Sequence, residues 1–279
     1  MMTYRQLLNE SREYLKNAGV ADAEIDAWYL LSHVFGISRA DFLLYGQDEC
    51  PKDKVTVYKK LIEKRAARIP LQYITGVQEF MGLEFDVDEN VLIPRQDTEI
   101  LVEEVLKVCK GKSVLDLCTG SGCIILSLAK YGNLKMAVGS DISEKALQVA
   151  RKNAKKLNLD VLFICSDLFE NIEGKYDIIV SNPPYIKSED FLTLMPEVRD
   201  HEPKLALEAG TDGLVYYKRI ISDLPKFLNP GGHVFFEIGF DQGKAVSELL
   251  TKAGFTDIYV KKDLSGLDRV VGAKAVSHI

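Results

Sequence analysis

The chain has 279 residues, of which 47% are hydrophobic and 27% charged, as in an ordinary globular protein of one or two domains. It carries 41 acidic residues against 35 lysines and arginines, a net charge of -6. Because phosphate contacts normally need a basic excess, this balance argues against a nucleic-acid substrate. The apolar runs are too short for a signal peptide or a membrane span. We therefore expect a cytoplasmic protein.

The five cysteines and four histidines are scattered along the chain. No Cys-x-x-Cys pair is present, and the scattered histidines suggest no metal site. We expect free thiols, no metal site and no membrane contact.

The first seventy residues carry apolar side chains at helical spacing, interrupted by glycines and a proline. This pattern predicts a small helical domain over residues 1–70. Alternating apolar residues from Phe80 to Val87, broken at Gly82, then predict a β-hairpin. We interpret residues 71–95 as a hairpin linker between two domains.

From Lys112 onward, short apolar segments alternate with helical ones. This alternation predicts an α/β domain over residues 96–279, with a mostly parallel sheet covered by helices on both faces. The predicted strands are Ser113–Leu117, Met136–Asp141, Val161–Cys165, Ile178–Ser181, Val234–Ile238, Ile258–Lys261 and a last strand through Val270 and Val271. The predicted helices between them include Ser143–Leu157 and Leu214–Phe227.

A glycine-containing turn follows the first of these strands and indicates a nucleoside cofactor. It reads Cys118-Thr119-Gly120-Ser121-Gly122 after Asp116, and Asp141 ends the next strand. An acid at that strand end can accept hydrogen bonds from ribose hydroxyls. The turn lacks the G-x-G-x-x-G spacing of nicotinamide dinucleotide sites, and an acid before it suits a cationic ligand. The pattern favours S-adenosylmethionine over a turn that merely joins strand to helix.

The third strand closes with Ser166 and Asp167. At the same sheet edge, Asp167 can accept a hydrogen bond from the adenine amino group, with Leu168 or Phe169 packing on the ring. An aspartate that only caps the following turn explains the residue equally well.

The fourth strand runs into Asn182-Pro183-Pro184-Tyr185. An amide or aromatic amine nitrogen is a poor nucleophile because its lone pair is delocalised. The Asn182 side-chain oxygen and the Pro183 carbonyl oxygen can each accept a hydrogen bond from one N–H group of such a nitrogen. This arrangement would direct the nitrogen lone pair at a methyl donor. Proline stiffens this backbone, and Tyr185 offers a flat face to a planar group. The motif therefore indicates methyl transfer to a planar NH2 group.

The sequence resembles the HemK-type protein-(glutamine-N5) methyltransferases, which modify the glutamine of the Gly-Gly-Gln motif in peptide chain release factors. The resemblance covers most of the chain. Beside the cofactor turn and the Asn-Pro-Pro-Tyr motif, its most specific part is Ile93-Pro94-Arg95-Gln96-Asp97-Thr98-Glu99. The other matching segments are residues 70–76, Glu202-Pro203, Glu237-Ile238-Gly239 and Asp268-Arg269-Val270-Val271.

The resemblance implies a Rossmann-like class I methyltransferase domain, with a seven-stranded sheet whose last strand is reversed. It also implies that the helical domain recognises the release factor. The implied cofactor contacts are Asp116, Cys118, Thr119, Gly120, Ser121, Gly122, Asp141, Asp167, Leu168 and Asn182. The implied substrate and catalytic residues are Asn182, Pro183, Pro184 and Tyr185. We expect a monomer that does not bind nucleic acid directly.

Two departures from the family pattern matter, and a third, Gln96 in place of the usual proline, has little consequence. Cys118 stands where the family usually has glycine, so a positive φ there would strain the backbone. Leu168 stands where many members carry an aromatic residue.

Three other functions use parts of the same pattern. A nucleic-acid N-methyltransferase would hold a flipped adenine or guanine amino group with the same two acceptors. A binding module would retain the fold without turnover, and a dehydrogenase would need a different glycine spacing.

Overall fold

The computed structural model describes residues 2–276 and contains two compact units. The first unit comprises Met1–Val77 and Met195–His201, and the second comprises Gln78–Leu194 and Glu202–Ile279. The chain therefore leaves the second unit after Leu194 and returns to it at Glu202. The predicted boundaries at residues 70 and 95 stay predictions. No helix within residues 2–276 is long and apolar enough to cross a membrane.

The first unit is helical, as its apolar spacing predicts. Thr3 and Ser38 each begin a helix with a capping box, in which side chain and backbone satisfy each other's polar groups. The helices surround a core that includes Leu8, Leu30 and Tyr58. They are α1 Tyr4–Asn17, α2 Ala23–Phe35, α3 Arg39–Tyr45, α4 Lys52–Ala66, α5 Leu71–Thr75 and α10 Pro196–His201.

A buried ion-pair cluster holds α10 within the first unit. Glu197 of α10 accepts hydrogen bonds from Arg65 Nη2 at 2.8 Å and from Arg68 Nη2 at 2.6 Å. Arg65 Nε also contacts Asp26 Oδ2 at 2.6 Å. Burial opposes ionisation of Glu197, but the two arginines outweigh it and lower the pKa of this carboxyl to about 2. Glu197 is thus ionised across the neutral range.

The predicted hairpin is present as β1 Val77–Phe80 and β2 Leu83–Asp86. Its rings Phe80 and Phe85 meet edge to face, with centroids 6.1 Å apart. Both rings are buried in a core cluster of the second unit that includes Leu101. The hairpin is therefore packed into that unit's core.

The second unit is built on a seven-stranded sheet with helices between the strands. The strand order is β5-β4-β3-β6-β7-β9-β8. Neighbouring strands pair in parallel except for β9, which runs antiparallel to both β7 and β8. The strands are β3 Ser113–Leu117, β4 Met136–Asp141, β5 Leu162–Cys165, β6 Tyr176–Ser181, β7 Leu228–Glu237, β8 Thr256–Lys262 and β9 Asp268–Lys274. The helices are α6 Glu99–Leu106, α7 Cys123–Tyr131, α8 Glu144–Leu157, α9 Ser188–Phe191, α11 Val215–Phe227 and α12 Gly243–Lys252. The fold class expected from the sequence is confirmed.

The central strands are buried on both faces because helices cover both. Successive residues of β3 point to opposite faces, and Val114 and Leu115 accordingly belong to different core clusters. The carboxyl ends of β3, β4, β5 and β6 meet along one edge, where Leu117 is paired with both Ser140 and Ser181. The glycine-containing turn after β3, Asp141, Asp167 and the Asn-Pro-Pro-Tyr motif all follow strands that end at this edge.

The structure departs from the predicted elements at β7. This strand begins at Leu228, six residues before the predicted Val234, and its pairing with β6 shifts register between Tyr176 and Ile178. The sequence Asn-Pro-Gly-Gly at 229–232 has turn composition, but here it forms a bulge within the strand. Composition alone does not distinguish these two cases.

Candidate active site at the carboxyl edge of the sheet

A cleft of about 160 Å³, partly open to solvent, lies at this edge of the second unit. Seven of the residues expected at the site line it: Cys118, Gly120, Asp141, Asp167, Leu168, Asn182 and Pro184. The other six do not line it: Asp116, Thr119, Ser121, Gly122, Pro183 and Tyr185.

The turn after β3 forms one wall of the cleft in a left-handed conformation. Cys118, Gly120 and Gly122 have φ values of 60°, 55° and 81°. Gly122 caps the start of α7, and a Cβ there would lie 3.3 Å from the Cβ of Ala150, so tight packing and the positive φ together favour glycine. Cys118 occupies a conformation that glycine adopts without strain and other residues do not.

Asp141, at the end of β4, is tied to this turn. Its Oδ2 accepts a hydrogen bond from the Gly120 N–H and its Oδ1 from the Ser143 N–H, each at 2.9 Å. Burial raises the pKa of Asp141, although these backbone donors favour the ionised form. Each carboxylate oxygen has a second lone pair. Because Asp141 lines the cleft, it can still accept hydrogen bonds from two ligand hydroxyls.

The side chains of Asp116 and Thr119 point away from the cleft, to the inner side of the turn. Asp116 is fully buried, and its Oδ2 accepts a hydrogen bond from the Thr119 hydroxyl at 2.6 Å. Burial raises the pKa of this carboxyl to about 7 in spite of that bond. In the structure Asp116 braces the turn from inside, and its predicted contact with a cofactor stays a prediction.

Asn153 of α8 is a further support that the sequence did not suggest. Its Nδ2 donates to the carbonyls of Ser121 and Asp86, each at 3.0 Å, and its Oδ1 accepts from the Asp86 N–H at 2.7 Å. This fully buried side chain links the end of the hairpin to the cofactor turn.

Asp167 and Leu168 line the cleft after β5. Leu168 has a φ of 52° and is buried. The alternative ring partner considered from the sequence, Phe169, is turned into the core, where it stacks on Phe227 at 4.5 Å. Leu168 lines the cleft and Phe169 does not, and packing of Leu168 on an adenine ring stays a prediction.

Helix α11 contributes two cleft residues that sequence reasoning missed. Tyr216 and Arg219 both line the cleft, and Arg219 Nη2 contacts Asp167 Oδ2 at 2.9 Å. No spacing rule connects α11 to the end of β5, so only the fold reveals this pair.

Asn182 and Pro184 face the cleft where β6 ends. Asn182 is half-buried, and its Nδ2 lies 3.4 Å from the Thr98 Oγ1. Within residues 2–276, no hydrogen bond is made to its Oδ1. This oxygen remains an available acceptor at the cleft.

Tyr185 packs behind the motif. Its hydroxyl donates to Glu237 Oε1 at 3.3 Å, and burial raises the pKa of the phenol. Glu237 ends β7, and among residues 2–276 its Oε2 has no hydrogen-bond partner. Burial raises the pKa of Glu237 to about 7. Thr98 and Glu237 lie in segments that carried the family resemblance, but the sequence assigned them no role.

The opposite wall is formed by residues 90–92 and by Pro203, Leu205 and Ala206. Glu202 joins these two segments, because it accepts a hydrogen bond from the Ile93 N–H at 3.1 Å and pairs with Arg95. The Glu202 side chain is 1% exposed. A buried carboxylate paired with a partly exposed arginine thus joins the two segments of this wall.

The charges around the cleft fit S-adenosylmethionine better than a dinucleotide. The charged side chains that line it are Asp141, Asp167 and Arg219, and Arg219 is paired with Asp167. The remaining acid favours a cationic ligand and opposes a pyrophosphate. Gly120, at the same wall, has no side chain and so leaves its backbone accessible to a ligand.

Comparison with known proteins identifies the family of this chain. Residues 6–76 match the family model described as the PrmC N-terminal domain, and residues 95–198 match the methyltransferase small domain. A release factor glutamine methyltransferase of Geobacter sulfurreducens is 40% identical over 274 residues, 98% of this chain and 96% of that protein. The protein of the same name from Clostridium acetobutylicum is 44% identical over 88% of this chain and 89% of its own length.

Solved structures show the same fold at low sequence identity. A methyltransferase from Pyrococcus furiosus has a TM-score of 0.56 and 20% identity, covering 77% of this chain and 99% of that chain. The 16S rRNA N2 G1207 methyltransferase of T. thermophilus, solved with AdoMet and guanosine, has a TM-score of 0.50 and 19% identity, covering 71% and 49%. The chain belongs to the S-adenosylmethionine-dependent release factor glutamine methyltransferase family.

Proposed function

We propose that this protein transfers a methyl group from S-adenosylmethionine to the side-chain amide nitrogen of the glutamine in the Gly-Gly-Gln motif of peptide chain release factors. The observation that carries the proposal is the position of Asn182. Its side chain lies in the same cleft as Asp141 and Gly120, with its amide oxygen available. Relatives with this name share about 40% of their residues with the chain over nearly its whole length.

The cofactor would be held by residues from three strand ends. Asp141 would accept hydrogen bonds from the ribose hydroxyls, and Leu168 would pack on the adenine. Asp167 would accept from the adenine amino group while keeping its ion pair with Arg219. When bound, S-adenosylmethionine would supply an electrophilic methyl group: the S–CH3 electron pair would stay on sulfur, and the methylated nitrogen would release one of its two protons to solvent.

The substrate amide would be held by two acceptors. The Asn182 Oδ1 and the Pro183 carbonyl oxygen would each accept one N–H of the glutamine NH2 group. Proline at 183 and 184 restricts the backbone torsions, so the two acceptors keep a fixed separation. Holding a reactant in the correct geometry can contribute roughly 7–11 kcal/mol to the barrier reduction. For a weak nucleophile such as an amide, this positioning is the main contribution of the protein.

The experiment is incubation with S-adenosylmethionine and purified release factor, followed by peptide mass spectrometry. We expect one added methyl group on the Gly-Gly-Gln glutamine, and none on a release factor whose motif is changed to Gly-Gly-Asn. A parallel reaction with ribosomal and transfer RNA tests the rival substrate class. Methylation of RNA, with the release factor unmodified, would refute the proposal.

A further inference from the structure

We propose that Arg219 of α11 is a positioning residue that orients the Asp167 carboxylate, so that the cleft selects a cofactor whose base carries an amino group. The proposal rests on the proposed function, because Asp167 would there accept a hydrogen bond from the adenine amino group. It extends base recognition to a helix that no sequence motif marked. Arg219 would act through Asp167 and would not itself contact the base.

The turn after β5 does not need the Asp167 side chain. The buried Ser166 hydroxyl accepts a hydrogen bond from the Asn171 N–H at 2.9 Å and donates to the Leu168 carbonyl at 2.8 Å. No backbone N–H within residues 2–276 donates to the Asp167 carboxylate. Capping of this turn, the other explanation for an aspartate at this position, is therefore the work of Ser166.

The Asp167 carboxylate is held through one of its two oxygens. Its Oδ2 accepts a hydrogen bond from Arg219 Nη2 at 2.9 Å, and no group in the described part of the chain donates to its Oδ1. Both side chains line the cleft. An ionised carboxylate accepts hydrogen bonds and donates none, so Oδ1 is left to meet a donor in the cleft.

The helix that carries Arg219 is anchored in the core. Tyr217 and Ile220 are fully buried, and the Tyr217 hydroxyl donates to the Glu237 carbonyl at 2.8 Å. Residues three apart lie on the same face of a helix. Tyr216 and Arg219 therefore share the face next to the buried one, and both line the cleft. The guanidinium thus reaches the carboxylate from a backbone that the core holds in place.

The ion pair contributes little to folding, because both partners are partly exposed. The Arg219 side chain is 43% exposed and the Asp167 side chain 30%, and solvent screens pairs at such exposure. Its main effect is to restrict the carboxylate. Without Arg219, the carboxylate would rotate and water would solvate both oxygens. With Arg219 on Oδ2, a ligand displaces water only from Oδ1, and such preorganisation lowers the cost of binding.

A fixed anionic acceptor distinguishes two purine bases. Adenine carries an amino group at C6, which donates hydrogen bonds, whereas hypoxanthine carries a carbonyl oxygen there, which accepts them. The amino group would complete a charge-assisted hydrogen bond with Oδ1 of Asp167, but a carbonyl oxygen would bring lone pairs against lone pairs. A site built to bond a donor rejects the analogue that lacks it. Arg219 would sustain this preference by holding Oδ1 in position.

The test measures the Kd of S-adenosylhomocysteine and of S-inosylhomocysteine by calorimetry, because these ligands differ only in the base. We expect the wild type to prefer the adenosyl ligand at least about tenfold. Arg219→Ala should weaken the adenosyl ligand at least threefold and leave the inosyl ligand within twofold of wild type. The matched control is Lys218→Ala. Lys218 precedes Arg219 on α11 and pairs with Asp212, but it does not line the cleft, so neither Kd should change.

A second comparison separates positioning from direct contact with the base. Asp167→Asn removes the charge that Arg219 binds. In the Asp167→Asn background, Arg219→Ala should weaken the adenosyl ligand by less than a further twofold, since its route of action is gone. At saturating S-adenosylmethionine, the methylation rate of Arg219→Ala should stay within twofold of wild type, so the change falls on the KM for the cofactor.

The proposal is overturned if Arg219→Ala leaves the adenosyl Kd unchanged, weakens both ligands equally or tightens adenosyl binding. Tighter binding would mean that Arg219 competes with the base for the carboxylate. The proposal also fails if the wild type shows no preference between the ligands, or if Arg219→Ala costs as much affinity in the Asp167→Asn background as in the wild type. A wild type that binds no S-adenosylmethionine, or leaves the glutamine unmethylated, refutes the proposed function instead.

Discussion

The Asp141 carboxylate accepts a hydrogen bond of 2.9 Å from the Gly120 backbone N–H, which ties the end of β4 to the turn after β3. The same carboxylate faces the cleft. One side chain therefore holds the turn in place and presents acceptors to a ligand.

Asp141→Ala should weaken cofactor binding. Hydrogen bonds to a charged acceptor contribute about 1.5–3 kcal/mol each, so we expect the Kd for S-adenosylmethionine to rise at least tenfold in calorimetry. The exposed Asp160 precedes β5, and Asp160→Ala should leave the Kd unchanged. Similar affinities for the two variants would exclude Asp141 as the ribose acceptor.

Backbone strain at Cys118 predicts an order of stability between two variants. Alanine and glycine at 118 both remove the thiol, but only glycine adopts a φ of 60° without penalty. We expect Cys118→Gly to be more stable than Cys118→Ala by about 1 kcal/mol, measured by urea denaturation. At Cys165, whose φ is not positive, glycine should be no more stable than alanine. If glycine were more stable than alanine at both positions, the result would argue against strain at Cys118.

Removal of the Glu197 carboxylate should destabilise the first unit. Glu197→Gln leaves Arg65 and Arg68 without their shared buried partner, and breaking such a pair costs about 3 kcal/mol. The chain has one tryptophan, Trp28, which is buried in this unit, so its fluorescence reports the unfolding directly. Glu63→Gln, an exposed residue on α4, is the matched control and should change the unfolding free energy by less than about 0.5 kcal/mol.

The pH dependence of this ion pair has a defined sign. The folded-state pKa of about 2 is lower than the ordinary value of 4.5. The stabilisation is therefore complete above pH 4.5 and is lost as pH falls from 4.5 towards 2. The difference in stability between wild type and Glu197→Gln should shrink over that range. A difference that stays constant down to pH 3 would contradict the ion-pair explanation.

Glu237 should show the opposite dependence. Its folded-state pKa of about 7 exceeds the ordinary 4.5, so the fold disfavours the ionised form. Relative to Glu237→Gln, the wild type should lose stability as pH rises from 4.5 to 7, by up to about 3 kcal/mol, and change no further above pH 8. Glu170→Gln, at an exposed position, should show no such trend. A flat difference for Glu237→Gln would mean that this carboxylate is adequately solvated.

Part of the site could be predicted because parallel strands bring their carboxyl ends to one edge. Asp141, Asp167 and Asn182 each follow a recognisable strand, and all three line the cleft. Local sequence does not specify which way a side chain points in a turn. Asp116 and Thr119 therefore fit the pattern but bond to each other behind the turn.

The rest of the site depends on long-range packing. Arg219 reaches Asp167 only because α11 packs beside the end of β5, and Thr98 reaches Asn182 only because the segment before α6 lies against the end of β6. Helix α10 joins the first unit through Glu197, although the chain on either side of it belongs to the second. No periodicity in the sequence encodes these relationships.

The most direct measurement compares two quantities for Asn182→Ala: the single-turnover rate of methyl transfer to release factor and the Kd for S-adenosylmethionine. Loss of a preorganised hydrogen-bonding group at a reacting centre typically costs about 10²–10³ in rate. We expect a rate loss of at least about 100-fold with a Kd within threefold of wild type. A rate close to wild type, or a rate loss matched by an equal loss of cofactor affinity, would contradict a role for Asn182 in gripping the glutamine amide.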